Sequence, residues 1–218
     1  MIKMNISKEQ LKKIVTQVII EKLSEQQDDI LIPIGVSNRH VHLCREDVNL
    51  LFGKEYELTK LNDLKQPGQF AAKEVVTIRG PKGQLEKVRI LGPLREETQV
   101  EISVTDSFKL GIKPPIKESG KLENTPGITI IGPKASVETS KGTIVALRHI
   151  HVPAKVAQKL NIKDKDIVSV EINGDRKAIL GSVLVRVSDK YVLEMHVDMD
   201  EANACYLKNG DLVKIVRK

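Results

Sequence analysis

Tryptophan is absent, and the 218 residues hold only three tyrosines and three phenylalanines. So thin an aromatic set argues against a stacking platform for single-stranded nucleic acid. Cysteine is almost absent as well. Cys44 and Cys205 do not make a disulfide framework, and the expectation is a reducing, intracellular setting. No apolar run reaches the ~20 residues a membrane-spanning helix needs, and no secretory hydrophobic segment is expected. What is left, at 40% hydrophobic and 29% charged, is the composition of a globular protein with room for one large or two small domains. The net charge is +6, with lysines spread along the chain. That reads as a solvated surface, or as attraction of a polyanion such as nucleic acid, a nucleotide or coenzyme A.

Histidine is scarce too, and its placement is informative. Four of the five histidines form Arg39-His40-Val41-His42 and Arg148-His149-Ile150-His151, and the fifth is His196. Chance at this frequency gives on the order of 0.1 His-x-His pair in such a chain. Both pairs follow β-prone residues, Ile34-Gly35-Val36 and Thr143-Ile144-Val145-Ala146-Leu147. Residues i and i+2 of a strand face the same way, so each pair presents two imidazoles side by side. Imidazole ligates Zn, Cu, Ni and Fe, and a site needs at least one ligand more. His196, Glu101 and Cys44 are the candidates; one shared ion and two separate ions both satisfy the spacing.

Along the chain, residues 1–29 stand apart. Ser7 and Gln10 read as a capping box, and Leu11, Ile14, Val15, Val18 and Leu23 form an apolar helical stripe. Residues 24–29 read as a polar linker. From Ile30 the signals are mostly short strands. A helix is expected over Arg45–Phe52, stopped by Gly53, and a turn at Gln66-Pro67-Gly68-Gln69. Glu74–Arg79 and Glu86–Leu91 read as a hairpin and Gln99–Val104 as a strand carrying Glu101. Residues 117–127 read as a loop, and 134–141 as a loop or short helix. A helix is expected from Pro153 to about Leu160. The C-terminal third repeats a polar turn and an Asp-x-Val-x-(Val/Ile) strand, at Asp166 and again at Asp211. The fold class expected is mainly β: two small β-barrels with short capping α-helices, with the histidines between them.

The segments Gly35-Val36-Ser37-Asn38-Arg39-His40-Val41-His42-Leu43, Leu91-Gly92-Pro93-Leu94-Arg95 with Thr98-Gln99-Val100-Glu101, and Leu147-Arg148-His149-Ile150-His151 resemble the propanediol-utilisation type of phosphotransacylase. The resemblance runs from about Ile30 to the C-terminus. It implies an enzyme interconverting acyl-CoA plus phosphate with acyl phosphate plus CoA. It implies residues 30–38 with 147–218 in one barrel and 39–146 in the other. It implies two zinc ions per chain, one on His40, His42 and Glu101 and one on His149, His151 and His196, and it leaves Cys44 out. Arg95 is the implied phosphate-binding and catalytic residue; Ser37, Gln69 and Phe108 are the implied substrate-binding residues, Phe108 across a homodimer interface. Family members are often packaged in bacterial microcompartments, so residues 6–24 are expected to act as an encapsulation peptide for shell proteins inside the cytoplasm.

The chemistry suits these residue types. Phosphate is already an anion and needs a clamp, which a forked guanidinium provides. A thiolate leaving group suits a zinc ion with an open position. The expectation is direct attack in a ternary complex, without an acyl-enzyme. Two readings compete: a metal-dependent thioester hydrolase, and a basic β-barrel that binds DNA. The scattered lysines and duplicated histidine strands count against the second.

Overall fold

The computed structural model describes residues 15–18 and 30–216. Of the expected N-terminal helix and linker, 15–18 are helical and exposed, and the rest lies outside the described residues.

Two β-units make up the rest. Strands β1 (Ile32–Ser37), β11 (His149–Val152), β12 (Ile167–Ile172), β13 (Ala178–Val187), β14 (Glu194–Asp198) and β15 (Leu212–Ile215) close into a barrel in the order β1-β14-β11-β13-β12-β15. Its core holds Ile32, Ile34, Ile150, Val170, Val183, Val185, Met195 and Val213, all at most 2% exposed. The second unit is a nine-stranded, curled half-barrel sheet, β7-β10-β6-β2-β5-β4-β8-β9, with β3 paired to β4. Its strands are β2 (His40–His42), β3 (Lys60–Asp63), β4 (Phe70–Arg79), β5 (Gln84–Gly92), β6 (Gln99–Glu101), β7 (Ile116–Lys117), β8 (Thr129–Ile131), β9 (Ser136–Glu138) and β10 (Thr143–Ala146). A separate core fills it, around Val41, Leu43, Leu51, Ile78, Ile90 and Ile130. The architecture is thus mainly β with few short helices.

The short helices cap strand ends. Helix α1 (Arg45–Phe52) buries Val48, Leu51 and Phe52 at i, i+3, i+4 spacing, and Gly53 at φ +118° stops it where other residues resist. Helix α2 (Val104–Leu110) begins three residues after the end of β6 and α4 (Met199–Cys205) directly after β14, and each opens with a capping box. Helix α3 (Ala154–Leu160) follows Pro153, which sits at its N-cap. Residues 134–141, expected as loop or helix, contain β9.

The chain passes between the two sheets at the histidine motifs. β1 ends in the barrel at Ser37 and β2 starts in the sheet at His40; β10 ends in the sheet at Ala146 and β11 starts in the barrel at His149. Both pairs of imidazoles therefore stand at the seam between the units.

Candidate metal centres and active-site cleft

In the sheet, β2 runs antiparallel to β6 with His40 directly opposite Glu101. Strand alternation puts His42 on the same side as His40. His40 Nε2 lies 3.4 Å from Glu101 Oε2, and His42 Nε2 lies 3.9 Å from Oε1. His40 Nδ1 is 2.8 Å from the Asn38 carbonyl. A carbonyl only accepts, so Nδ1 carries the proton and Nε2 offers its lone pair inward.

The barrel repeats the construction. β11 runs antiparallel to β14 with His149 directly opposite His196. His149 Nδ1 donates to the Leu147 carbonyl at 2.9 Å, again two residues upstream, and again its Nε2 lone pair faces inward. His149 Nε2 and His151 Nε2 are 3.1 Å apart, and the buried His151 Nδ1 has no partner. Two Nε2 atoms at that distance share either one proton or one cation. His196 Nε2 donates to Glu194 Oε2 at 2.9 Å.

These are two sets of three, not one set of six. Within each set the ligand atoms lie within 4.8 Å of one another. Tetrahedral zinc held at ~2.0–2.1 Å by nitrogen or oxygen spaces its ligands about 3.3 Å apart. The 3.1 Å and 3.4 Å separations bracket that edge. The donor types fit the ion; His42 and Glu101, 3.9 Å apart, must close up, and His42 Nε2 must give up its contact with Arg95.

Protonation favours the same use. Burial and the charge of neighbouring His196 bring His149 down to about 4, and burial with His149 and His196 brings His151 down to about 2. Burial, with His40 and Arg95 beside it, holds His42 well below its ordinary value. His40 differs: burial opposes its charge, but the Glu101 carboxylate outweighs burial and raises it. Burial likewise works against the Glu101 charge, yet His40, His42 and Arg95 hold it well below the usual carboxylate range. Neutral imidazoles and an ionised carboxylate are the forms a metal takes.

A cleft lies at the seam, bordered by Ser37, Arg39, Glu101, His149, His196 and Asp198 among others. Arg95, just past β5, reaches into this neighbourhood. Its Nη2 is 2.8 Å from His42 Nε2, and its Nη1 donates to Ser119 Oγ at 3.1 Å. Ser119 in turn donates to Glu101 Oε1 at 3.0 Å and accepts from Gln99 at 2.9 Å. Ser37 Oγ sits 3.5 Å from His40 Nδ1. Gln69 closes the β3–β4 hairpin through its backbone, accepting from Leu64 N at 2.9 Å. Phe108 stands on α2, 75% exposed, and is not among the residues bordering the cleft. Cys44 lies apart from both sets: β2 ends at His42, and Cys44 is the N-cap of α1.

Several contributors carried no visible signal. Ser119, Gln99, Gln66, Glu194 and Arg186 are ordinary polar residues in strands and loops. Gln66 Nε2 bonds Val192 O at 2.9 Å and Glu194 Oε2 at 3.2 Å, 126 and 128 residues away. Arg186 lies across the β11–β13 ladder from His151. The capping-box pattern at Ser103 and Asp106, next to Glu101, was the one local clue.

Fold and site define the class: a protein of two β-units with paired candidate ligand clusters at a shared cleft and a guanidinium beside them. Residues 33–208 match the family model described as phosphate propanoyltransferase. A phosphate propanoyltransferase of Thermotoga maritima is 60% identical over 186 residues, covering 85% of this chain and 89% of its own. Relatives of the same name from Rhodopseudomonas palustris and Clostridioides difficile are each 49% identical, over 99% and 95% of this chain and all of their own. The chain belongs to the phosphate propanoyltransferase family and is an acyltransferase of the phosphotransacylase type.

Proposed function

We propose that the protein interconverts propanoyl-CoA plus phosphate with propanoyl phosphate plus CoA, acetyl-CoA being a second candidate substrate. The observation that supports this best is Arg95. Its guanidinium lies 2.8 Å from His42 Nε2, whose lone pair an ion in the His40/His42/Glu101 set would take over, so an anion held on Arg95 lies against that set.

His40, His42 and Glu101 would hold one zinc ion and His149, His151 and His196 the other; when bound, zinc supplies a positive charge that stabilises a departing thiolate. Arg95 binds phosphate through its fork and turns one oxygen toward the thioester carbonyl carbon. A C–O bond forms, the C–S bond breaks, and CoA leaves as the thiolate with the electron pair. No side chain need carry the acyl group. Ser119 holds Arg95 and Glu101 to one hydroxyl, which fixes the guanidinium relative to the ligand set. Ser37 stands at the cleft rim, where thioester and phosphate meet. Gln69 and Phe108 are assigned to CoA, Phe108 across a homodimer interface, for which its 75% exposure on α2 leaves room. The units are assigned as 30–38 with 147–218, and 39–146. Residues 6–24 are assigned to encapsulation in a bacterial microcompartment; unchanged shell co-purification after deleting 1–27 would end that assignment.

The test is thiol release from propanoyl-CoA by the zinc-loaded protein, with and without phosphate. Release that needs phosphate and stops on chelation supports the transferase. Release without phosphate supports the thioester hydrolase instead. Arg95→Lys keeps charge but loses the fork, and should lower kcat/KM for phosphate on the order of 10²-fold.

A further inference from the structure

The two ligand sets share more than their histidines. In each, the arginine just before the pair reaches an acidic residue in the first turn of the helix after the third ligand's strand. Arg39 Nε and Nη2 meet Asp106 Oδ2 and Oδ1 at 2.8 and 2.7 Å. Arg148 Nη1 meets Glu201 Oε1 at 3.2 Å. Asp106 and Glu201 hold the same place: each is the N3 residue of a capping box, in α2 with Ser103 and in α4 with Asp198. Ser103 follows Glu101 by two residues, and Asp198 follows His196 by two. The acid is Asp in one copy and Glu in the other, the cap Ser and Asp, the third ligand Glu and His. The residue types drift while the construction stays.

This construction answers a mechanical problem. His40 and His149 are the first residues of strands three and four residues long, placed where the chain has just left the other sheet. Ladder bonds alone hold such a short strand end weakly. The third ligand comes from a different strand, and the set is competent only if both strand ends keep one spacing. Each arginine precedes its strand, and its guanidinium is tied to the helix rather than to the ligand atoms. It thus grips the helix rigidly joined to the third ligand. At Asp106 the grip is bidentate, and the carboxylate is 5% exposed, which gives the contact direction as well as attraction.

We propose that Arg39–Asp106 and Arg148–Glu201 are paired positioning clamps, each setting the spacing of its own ligand set. Arg39–Asp106 aligns His40 and His42 with Glu101; Arg148–Glu201 aligns His149 and His151 with His196. None of the four residues belongs to either ligand set. The clamps rest on the metal reading of the two sets.

The experiment measures zinc affinity of the full chain by competition with a chromophoric chelator. Anomalous scattering from crystals grown at graded free zinc identifies which set fills. Arg39→Met should weaken zinc at His40/His42/Glu101 by about 10–100-fold, the range for partners behind metal ligands, and leave the other set within about threefold, near the scatter expected of distant independent sites. Arg148→Met should reverse the selectivity. Asp106→Glu keeps the carboxylate and should keep most of the affinity; should Arg39→Met fold poorly, Asp106→Asn breaks the same ion pair and should weaken the same set. Equal weakening of both sets, or a lower metal-free midpoint with unchanged affinities, would show a merely structural ion pair and overturn the clamps. A wild-type chain that binds no zinc would remove the metal reading itself, a result distinct from losing the clamps.

Discussion

Ser119 has a single hydroxyl and three partners, which is its full capacity: it donates once, to Glu101, and accepts twice, from Arg95 and Gln99. Removing that oxygen unties the guanidinium from the carboxylate. Hydrogen bonds to charged groups contribute ~1.5–3 kcal/mol, so Ser119→Ala should reduce kcat/KM for phosphate by at least about tenfold. Zinc content should stay at the wild-type level, since Glu101 keeps both oxygens; a variant with normal phosphate kinetics would remove Ser119 from the site. The histidines make a second prediction, for the metal-free protein. His149 at about 4 and His151 at about 2 sit below the unfolded value of 6.5. The unfolded chain therefore binds more protons through that window, and stability rises with pH. It is fully present above pH 6.5 and is lost as pH falls, down to about 4 for His149 and on toward about 2 for His151. His40 acts in the other sense: its raised value favours the folded form below 6.5, and that gain is lost as pH rises through the folded value. With His42 also depressed, three groups oppose one. The unfolding midpoint of the chelated protein should fall by several degrees between pH 6.5 and 4, and a flat or rising midpoint would contradict the stated protonation.

Elements differ in how plainly the chain announces them. The eight-residue α1 was legible, because Val48, Leu51 and Phe52 show one apolar face and Gly53 marks its end. Seven-residue α2 was not, since two turns give too little periodicity and its capping box sits inside a strand-like run. The ligand strands were legible because i, i+2 spacing survives in any β-context. Their opposition across the ladder, His40 to Glu101 and His149 to His196, was not, because register between strands 61 and 47 residues apart has no local trace. The resemblance supplied those pairings before the geometry did. Helix α2 carries its own prediction. Ser103 Oγ accepts from Asp106 N at 3.2 Å and closes the cap. Ser103→Ala should cost about 1 kcal/mol, seen as a drop of about 2–4 °C in the midpoint for a chain of this size. A loss beyond about 3 kcal/mol would mean the hydroxyl does more than cap.

At the scale of the molecule, the strands of the curled sheet are contiguous in sequence, whereas the barrel takes β1 from one end of the chain and β11–β15 from the other. The sheet unit is thus an insertion in the barrel, entered and left through the two Arg-His motifs. Each unit carries its own ligand set: β2 and β6 supply one, β11 and β14 the other. Neither set borrows a residue across the seam, although contacts such as Gln66 to Glu194 and Lys165 to Glu118 join the units. Metal loading should therefore be separable where catalysis is not. His42→Ala removes one ligand from the sheet, and His151→Ala removes one from the barrel. Each variant should bind one zinc per chain against two for the wild type, measured by mass spectrometry under native conditions. A bound ion stabilises by RT ln(1 + [L]/Kd), about 2.7 kcal/mol at a hundredfold excess over Kd. Each variant should accordingly keep one such increment when zinc is added. Turnover should collapse in both, because Glu101, His149 and His196 border the same cleft and the proposed reaction draws on both sides. Full activity in either variant would reduce that set to a structural role, and loss of both ions from a single substitution would show that the sets form one coupled centre.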